Sequence, residues 1–122
     1  MLSLNFRDAR PIYEQVKDGL RRLVITGAIQ EGENLPSVRS LAISLDINPN
    51  TIQKAYEALE AEGYVYSVPG KGSFAADCSQ AARYRTEGLM EQFDAIIAEL
   101  LFLGVGVEHL NQRIMMKGGA VQ

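Results

Sequence analysis

The sequence predicts a mainly α fold with one small β-hairpin, and three observations lead there. Val38, Leu41, Ala42 and Leu45 fall at i, i+3, i+4 and i+7, as do Ile52, Ala55, Tyr56 and Leu59; this is the period of helices that bury one face. Only Asp46-Ile47-Asn48 separates the two helices that carry these stripes, which leaves room for a tight turn and nothing more. Further on, Pro69-Gly70-Lys71-Gly72 parts two short β-prone runs, the chemistry of a hairpin turn.

Taken in order, Leu2, Leu4 and Phe6 alternate with polar residues, a weak period-2 pattern for a short strand or extended arm. Pro11 suits the first turn of a helix, and Ile12, Val16, Leu20, Leu23 and Val24 supply its apolar stripe. That helix is expected over 11–26 and ends at Thr26-Gly27, because glycine readily takes the left-handed conformation past a last turn. Residues 28–36 read as a loop ending in Pro36. Ser37 is a good N-cap for a helix over 38–45, and Asn48 for a helix over 49–61 with Pro49 at its first position. Gly63 stops the latter. Between them, Ala42 suits a close crossing, Ile47 is expected to plug the gap, and Asp46 is among the few non-glycine residues that tolerate positive φ.

The pair reads as a helix-turn-helix, although any packed helical pair can show these stripes. Residues 64–68 and 73–75 then form a strand, turn and strand, and a helix-turn-helix followed directly by a hairpin is the order of a winged helix. The expected division is a winged helix-turn-helix domain over 1–77 and a helical tail over 78–122. In the tail a helix over 80–103, about 36 Å long, sets Leu89, Phe93, Ile96, Ile97, Leu100 and Leu103 against a face of Glu87, Glu91, Gln92, Asp94 and Glu99. Gly104-Val-Gly106 breaks it, and a last helix over 107–116 carries Leu110 and Ile114.

With 122 residues, 47% apolar and 22% charged, the composition is that of a globular protein. The longest apolar run, Leu100 to Val107, is far short of the roughly 20 residues that span a bilayer. The first residues lack a basic segment followed by an apolar one, so no signal peptide is expected. A lone Cys78 fits a reducing cytoplasm. Net charge is −3, with 8 basic and 10 acidic residues before Cys78 and 4 basic and 5 acidic after it. Any nucleic-acid partner must therefore meet positive charge gathered on one face.

One polar face is a candidate. Asn50, Gln53, Lys54 and Glu57 point away from the apolar stripe of the third helix, with Thr51 beside them. Amide side chains can read adenine in the major groove from the start of a helix; a merely solvated face is the alternative. Arg39, behind the Ser37 cap, can reach guanine or a phosphate, or can pair with Glu31 or Glu33. Lys71 between Gly70 and Gly72 can approach a phosphate or a minor groove, or the segment is simply a turn. A phosphate-binding loop fails on spacing, since Val65 stands five before Gly70 where glycine is required. His109 and Cys78 have no ligand pattern around them, so neither metal nor cofactor is expected, and no catalytic group assembles. The tail stripe needs a partner: its own winged helix, or the same helix of a second chain, which would join two heads with two-fold symmetry. Dimerisation through Leu89, Phe93, Ile96, Ile97 and Leu100 is expected.

Pro11-Ile-Tyr-Glu-Gln, Leu35-Pro-Ser-Val-Arg-Ser-Leu-Ala42, Asn48-Pro-Asn-Thr-Ile-Gln-Lys-Ala-Tyr56, Leu59-Glu-Ala-Glu-Gly63 and Gly70-Lys-Gly-Ser-Phe74 together resemble the GntR family of bacterial transcription regulators. The Asn-Pro-Asn-Thr run and the brief two-helix tail are similar to its YtrA-like subfamily. The resemblance covers residues 2–76 closely and the tail by length and pattern. It implies a dimeric winged helix, usually a repressor, on a palindromic double-stranded DNA operator. It also implies DNA contacts at Arg39, at Asn48, Asn50 and Thr51, at Gln53, and at Gly70 and Lys71; Ser37 and Lys54 join this set from their positions on the helices. Many family members carry arginine where this chain has Pro49, so their operator sequences do not transfer. The larger effector domains of other branches have no counterpart, and no small-molecule effector is assigned. An interaction module without DNA binding is the alternative, since winged helices also mediate subunit contacts.

Overall fold

The computed structural model describes residue 2 and residues 4–119; Met1, Ser3 and residues 120–122, which the expected divisions include, lie outside the described residues. The elements are α1 (Ile12–Ile25), α2 (Val38–Leu45), α3 (Pro49–Ala61), β1 (Val65–Val68), β2 (Gly72–Ala75), α4 (Ser79–Phe102) and α5 (Val107–Gly119). The chain divides into two compact units, Met1–Arg83 and Tyr84–Gln122.

The first unit is built on the predicted stripes. Val16, Leu20 and Val24 of α1 meet Leu41 and Ala42 of α2, Ile52, Ala55, Tyr56 and Leu59 of α3, and Tyr64, Val65 and Ala75 around the hairpin, all buried in one core. Burying a large aliphatic or aromatic side chain contributes about 1.5–3 kcal/mol, so this seam fixes which face of each helix turns outward. Ser37 caps α2 by accepting a hydrogen bond from the Ser40 N–H at 3.0 Å, and Asn48 caps α3 by accepting from the Asn50 N–H at 2.8 Å. Between them Asp46 has φ 55° and ψ 51°, the left-handed geometry that aspartate tolerates. The Ile47 N–H donates to the Ala42 carbonyl at 3.0 Å, and the Ile47 side chain packs half-buried against the core.

In the antiparallel hairpin Val65 faces Ala75 and Val68 faces Gly72. The Lys71 N–H donates to the Val68 carbonyl at 2.9 Å, and Gly70, third residue of that turn, has φ 77°. A positive φ there behind a proline is the demand of a type II turn.

Several expectations are corrected at their edges. Pro11 is the N-cap of α1 rather than its first residue, β1 begins after Tyr64 and β2 includes Gly72. Leu103 lies beyond the end of α4, and α5 continues past residue 116. No strand forms among the described residues before α1. Leu2 and Leu4 pack against the core, but Phe6 is exposed. The buried Gln15 side chain supplies what a neighbouring strand would: its Oε1 accepts from the Asn5 N–H at 2.8 Å, and its Nε2 donates to the Asn5 carbonyl at 2.9 Å.

The 28–36 loop is also more ordered than expected. The Gly32 and Leu35 N–H groups donate to the Ala75 and Ser73 carbonyls, each at 2.8 Å, and the Ala75 N–H donates to the Glu33 carbonyl at 2.9 Å. This edge pairing brings Asn34 opposite Phe74. Gly, Glu and Asn carry little β preference, so only the free edge of β2 dictates the pairing.

Candidate nucleic-acid interface

The first two turns of α3 present the expected pattern. Asn50, Gln53, Lys54 and Glu57 are exposed, Thr51 is half-buried, and Ile52, Ala55 and Tyr56 are buried beneath them. The Asn48 Oδ1 is spent on the cap. Gln53 Nε2 donates to Glu57 Oε2 at 3.4 Å, a long bond. Lys54 Nζ lies 4.0 Å from the centroid of the Tyr13 ring.

Arg39 is exposed in the first turn of α2 and pairs with neither Glu31 nor Glu33. Glu33 instead accepts from the Gln30 N–H at 2.8 Å. The start of α2 is anchored from below, because the Tyr56 hydroxyl donates to the Pro36 carbonyl. Burial pushes the Tyr56 pKa up to about 12, so this hydroxyl keeps its proton throughout the physiological range.

Two shallow clefts show what the fold gathers. In one, of about 190 Å³, Ser37 at the start of α2 and Lys71 of the hairpin share walls with Asn34 and Ser73. In the other, of about 360 Å³, Asn50, Thr51 and Lys54 face Pro11, Ile12 and Tyr13 across the first turns of α3 and α1. Arg39, Gln53 and Gly70 line neither cleft. Asn34 was not among the expected site residues; its Nδ2 reaches the Lys71 carbonyl at 3.5 Å and its Oδ1 lies 3.2 Å from where a Cβ on Gly72 would sit. Nor was Tyr13, and the one signal available for it was an aromatic residue beside the first helical stripe.

Three other cations of this unit are committed to carboxylates. Arg10 pairs with Asp8 at 3.2 Å and Asp18 at 2.7 Å, Arg21 with Asp18 at 3.0 Å and Glu62 at 2.8 Å, and Lys17 with Glu62 at 2.9 Å. Arg39, Lys54 and Lys71 have no ion-pair partner among the described residues, so their charge remains free for an external anion. No cluster of potential metal ligands occurs among the described residues.

In the second unit no residue of α4 is buried. Leu89, Phe93 and Ile96 are exposed, Ile97 and Leu100 half-buried. Phe93, Ile96, Ile97 and Leu100 line an apolar groove of about 550 Å³ with Leu110 and Ile114 of α5. Contiguous apolar surface of this kind marks interaction sites in water-soluble proteins.

Residues 12–74 match the family described as bacterial regulatory proteins, gntR family. The chain is 35% identical over 128 residues to the HTH-type transcriptional repressor YtrA of Bacillus subtilis (strain 168), covering 98% of this chain and 97% of that protein. Among solved structures it is similar to a transcriptional antiterminator from Listeria monocytogenes EGD-e, with 32% identity, a TM-score of 0.73, and coverage of 97% of this chain and 90% of that one. It is also similar to the AraR DNA-binding domain in complex with an operator, with 31% identity, a TM-score of 0.55, and coverage of 61% of this chain and 89% of that one.

Proposed function

This chain belongs to the GntR family of bacterial regulatory proteins and is a winged-helix, DNA-binding transcription regulator; from that premise we propose that it acts as a dimeric repressor on a palindromic operator in the cytoplasm. The observation that carries the reading is the outward face of α3. Asn50, Gln53 and Lys54 project from a buried seam of Ile52, Ala55 and Tyr56, so the start of α3 offers amides and a cation to base edges in a major groove. Arg39 supplies a guanidinium from α2 that suits guanine or phosphate, Thr51 and the Ser37 and Asn48 caps add polar contacts to the backbone, and Gly70 and Lys71 bring the wing to a phosphate. In a chain of charge −3, Arg39, Lys54 and Lys71 supply the positive charge that attracts DNA.

We assign residues 1–77 to DNA binding and 78–122 to dimerisation. The apolar face of Leu89, Phe93, Ile96, Ile97 and Leu100 supports this, since two copies meeting there would set two reading heads on one duplex, as half-sites spaced by a helical turn require. No helix among the described residues is long and apolar enough to cross a membrane, which is consistent with a partner in the cytoplasm. The test is to select bound fragments of the host genome with the purified chain. Enrichment of an inverted repeat is expected, and recovery of fragments without any shared sequence would overturn the reading.

A further inference from the structure

We infer that Tyr13 is a positioning residue of the DNA-binding face: its ring holds the Lys54 ammonium at the cleft between the first turns of α1 and α3, ready for a backbone phosphate. The inference rests on the DNA-binding reading and adds to it a residue outside α2, α3 and the wing. Lys54 Nζ stands 4.0 Å from the ring centroid, well inside the roughly 6 Å over which a cation is attracted to an aromatic face. The nearby cations Arg10, Lys17 and Arg21 are held instead by carboxylates.

That difference decides what Lys54 can do. A carboxylate fixes an ammonium and cancels its charge, whereas an aromatic face fixes it and leaves the charge whole. The ring covers one side of the ammonium, and its remaining N–H donors stay free for phosphate oxygens. A lysine side chain carries about 2 kcal/mol of rotamer entropy, and ordering it before DNA arrives lowers the cost of ordering it on binding. The Tyr13 hydroxyl is turned to Glu14 Oε1 at 3.4 Å, so the ring and not the oxygen touches Lys54. Asn50 and Thr51 line the same cleft, which sets the held charge beside residues proposed to meet the duplex.

The test has two arms on the full chain. In the free protein, NMR should show the Lys54 ε-methylene protons shifted upfield by the ring in wild type and Tyr13→Phe, and at ordinary positions in Tyr13→Leu. Ordinary positions in wild type would overturn the inference whatever the protein does with DNA. For binding, duplexes recovered by genomic selection are titrated with each variant after its melting temperature is checked. Tyr13→Phe should bind as wild type does. Tyr13→Leu should lose about two- to fivefold in affinity, and that loss should vanish in a Lys54→Ala background. A loss that persists without Lys54, or one that Tyr13→Phe shares, would show that Tyr13 does not act through the ammonium. Wild type that binds no duplex while showing the ring shift would sink the DNA reading, and the phosphate role with it, but not the contact.

Discussion

Arg39 shows how one side chain separates sequence readout from mere attraction. It is exposed one residue past the start of α2, on a turn that the Ser37 cap and the Tyr56 to Pro36 hydrogen bond hold still. A guanidinium presented from a fixed turn can meet guanine O6 and N7 together, which is worth about 1–3 kcal/mol of discrimination. Arg39→Ala should therefore weaken operator binding by about that amount and leave binding to random duplex nearly unchanged. Equal losses on both duplexes, measured by titration at one salt concentration, would make Arg39 a phosphate contact only. The sequence shows the residue and its place on the helix; its freedom from Glu31 and Glu33 depends on where the loop before α2 folds. Once that loop pairs with β2, Glu33 turns back to the Gln30 N–H.

At the scale of elements, the wing and the α1–α3 contact behave differently. The wing tip is a four-residue turn with one cation and no ion-pair partner among the described residues. Replacing Lys71 with alanine should lower the slope of log affinity against log salt by roughly one unit, the release of one counterion. An unchanged slope would place the wing off the DNA. Where α1 passes the end of α3, burial alone would raise the Glu62 pKa, but hydrogen bonds and charge from Lys17 and Arg21 outweigh it and hold the carboxyl below its ordinary 4.5. A lowered folded-state pKa stabilises the fold at pH above that ordinary value, and the contribution is lost as pH falls through the folded one. The melting temperature should hold between neutral pH and about pH 5 and then drop, and Glu62→Gln should soften the drop by a few tenths to about 1 kcal/mol, since the pair is partly exposed. Identical acid profiles for both proteins would remove Glu62 from the account.

At the scale of the whole molecule, two copies are expected to act together. The tail presents Phe93 at 38% exposure and Ile96 at 59%, surface that a lone chain leaves in water. Burying each such side chain against a second copy is worth about 1.5–3 kcal/mol. Phe93→Asp would place a charge in that seam, and light scattering at micromolar concentration should then report monomers that bind a single half-site weakly. Dimers that survive the substitution would move the interface elsewhere on the molecule.

Sequence by itself determined the helices, the two caps, the left-handed Asp46 and the glycine-rich turn. Each of these is decided within a few residues: a stripe by its period, a cap by one side-chain oxygen, a positive φ by the Cβ beside it. It also determined the outward face of α3, because the buried seam of one helix leaves its opposite side to solvent. Tertiary structure alone decided the rest. Gln15 in place of a strand partner, the edge of β2 that captures residues 32–35, the Asn34 link to the wing tip and the Lys54 ammonium over Tyr13 all join groups that lie in different segments of the chain. No local pattern records such contacts, because the partner of each group is chosen by the packing of the core that brings the segments together.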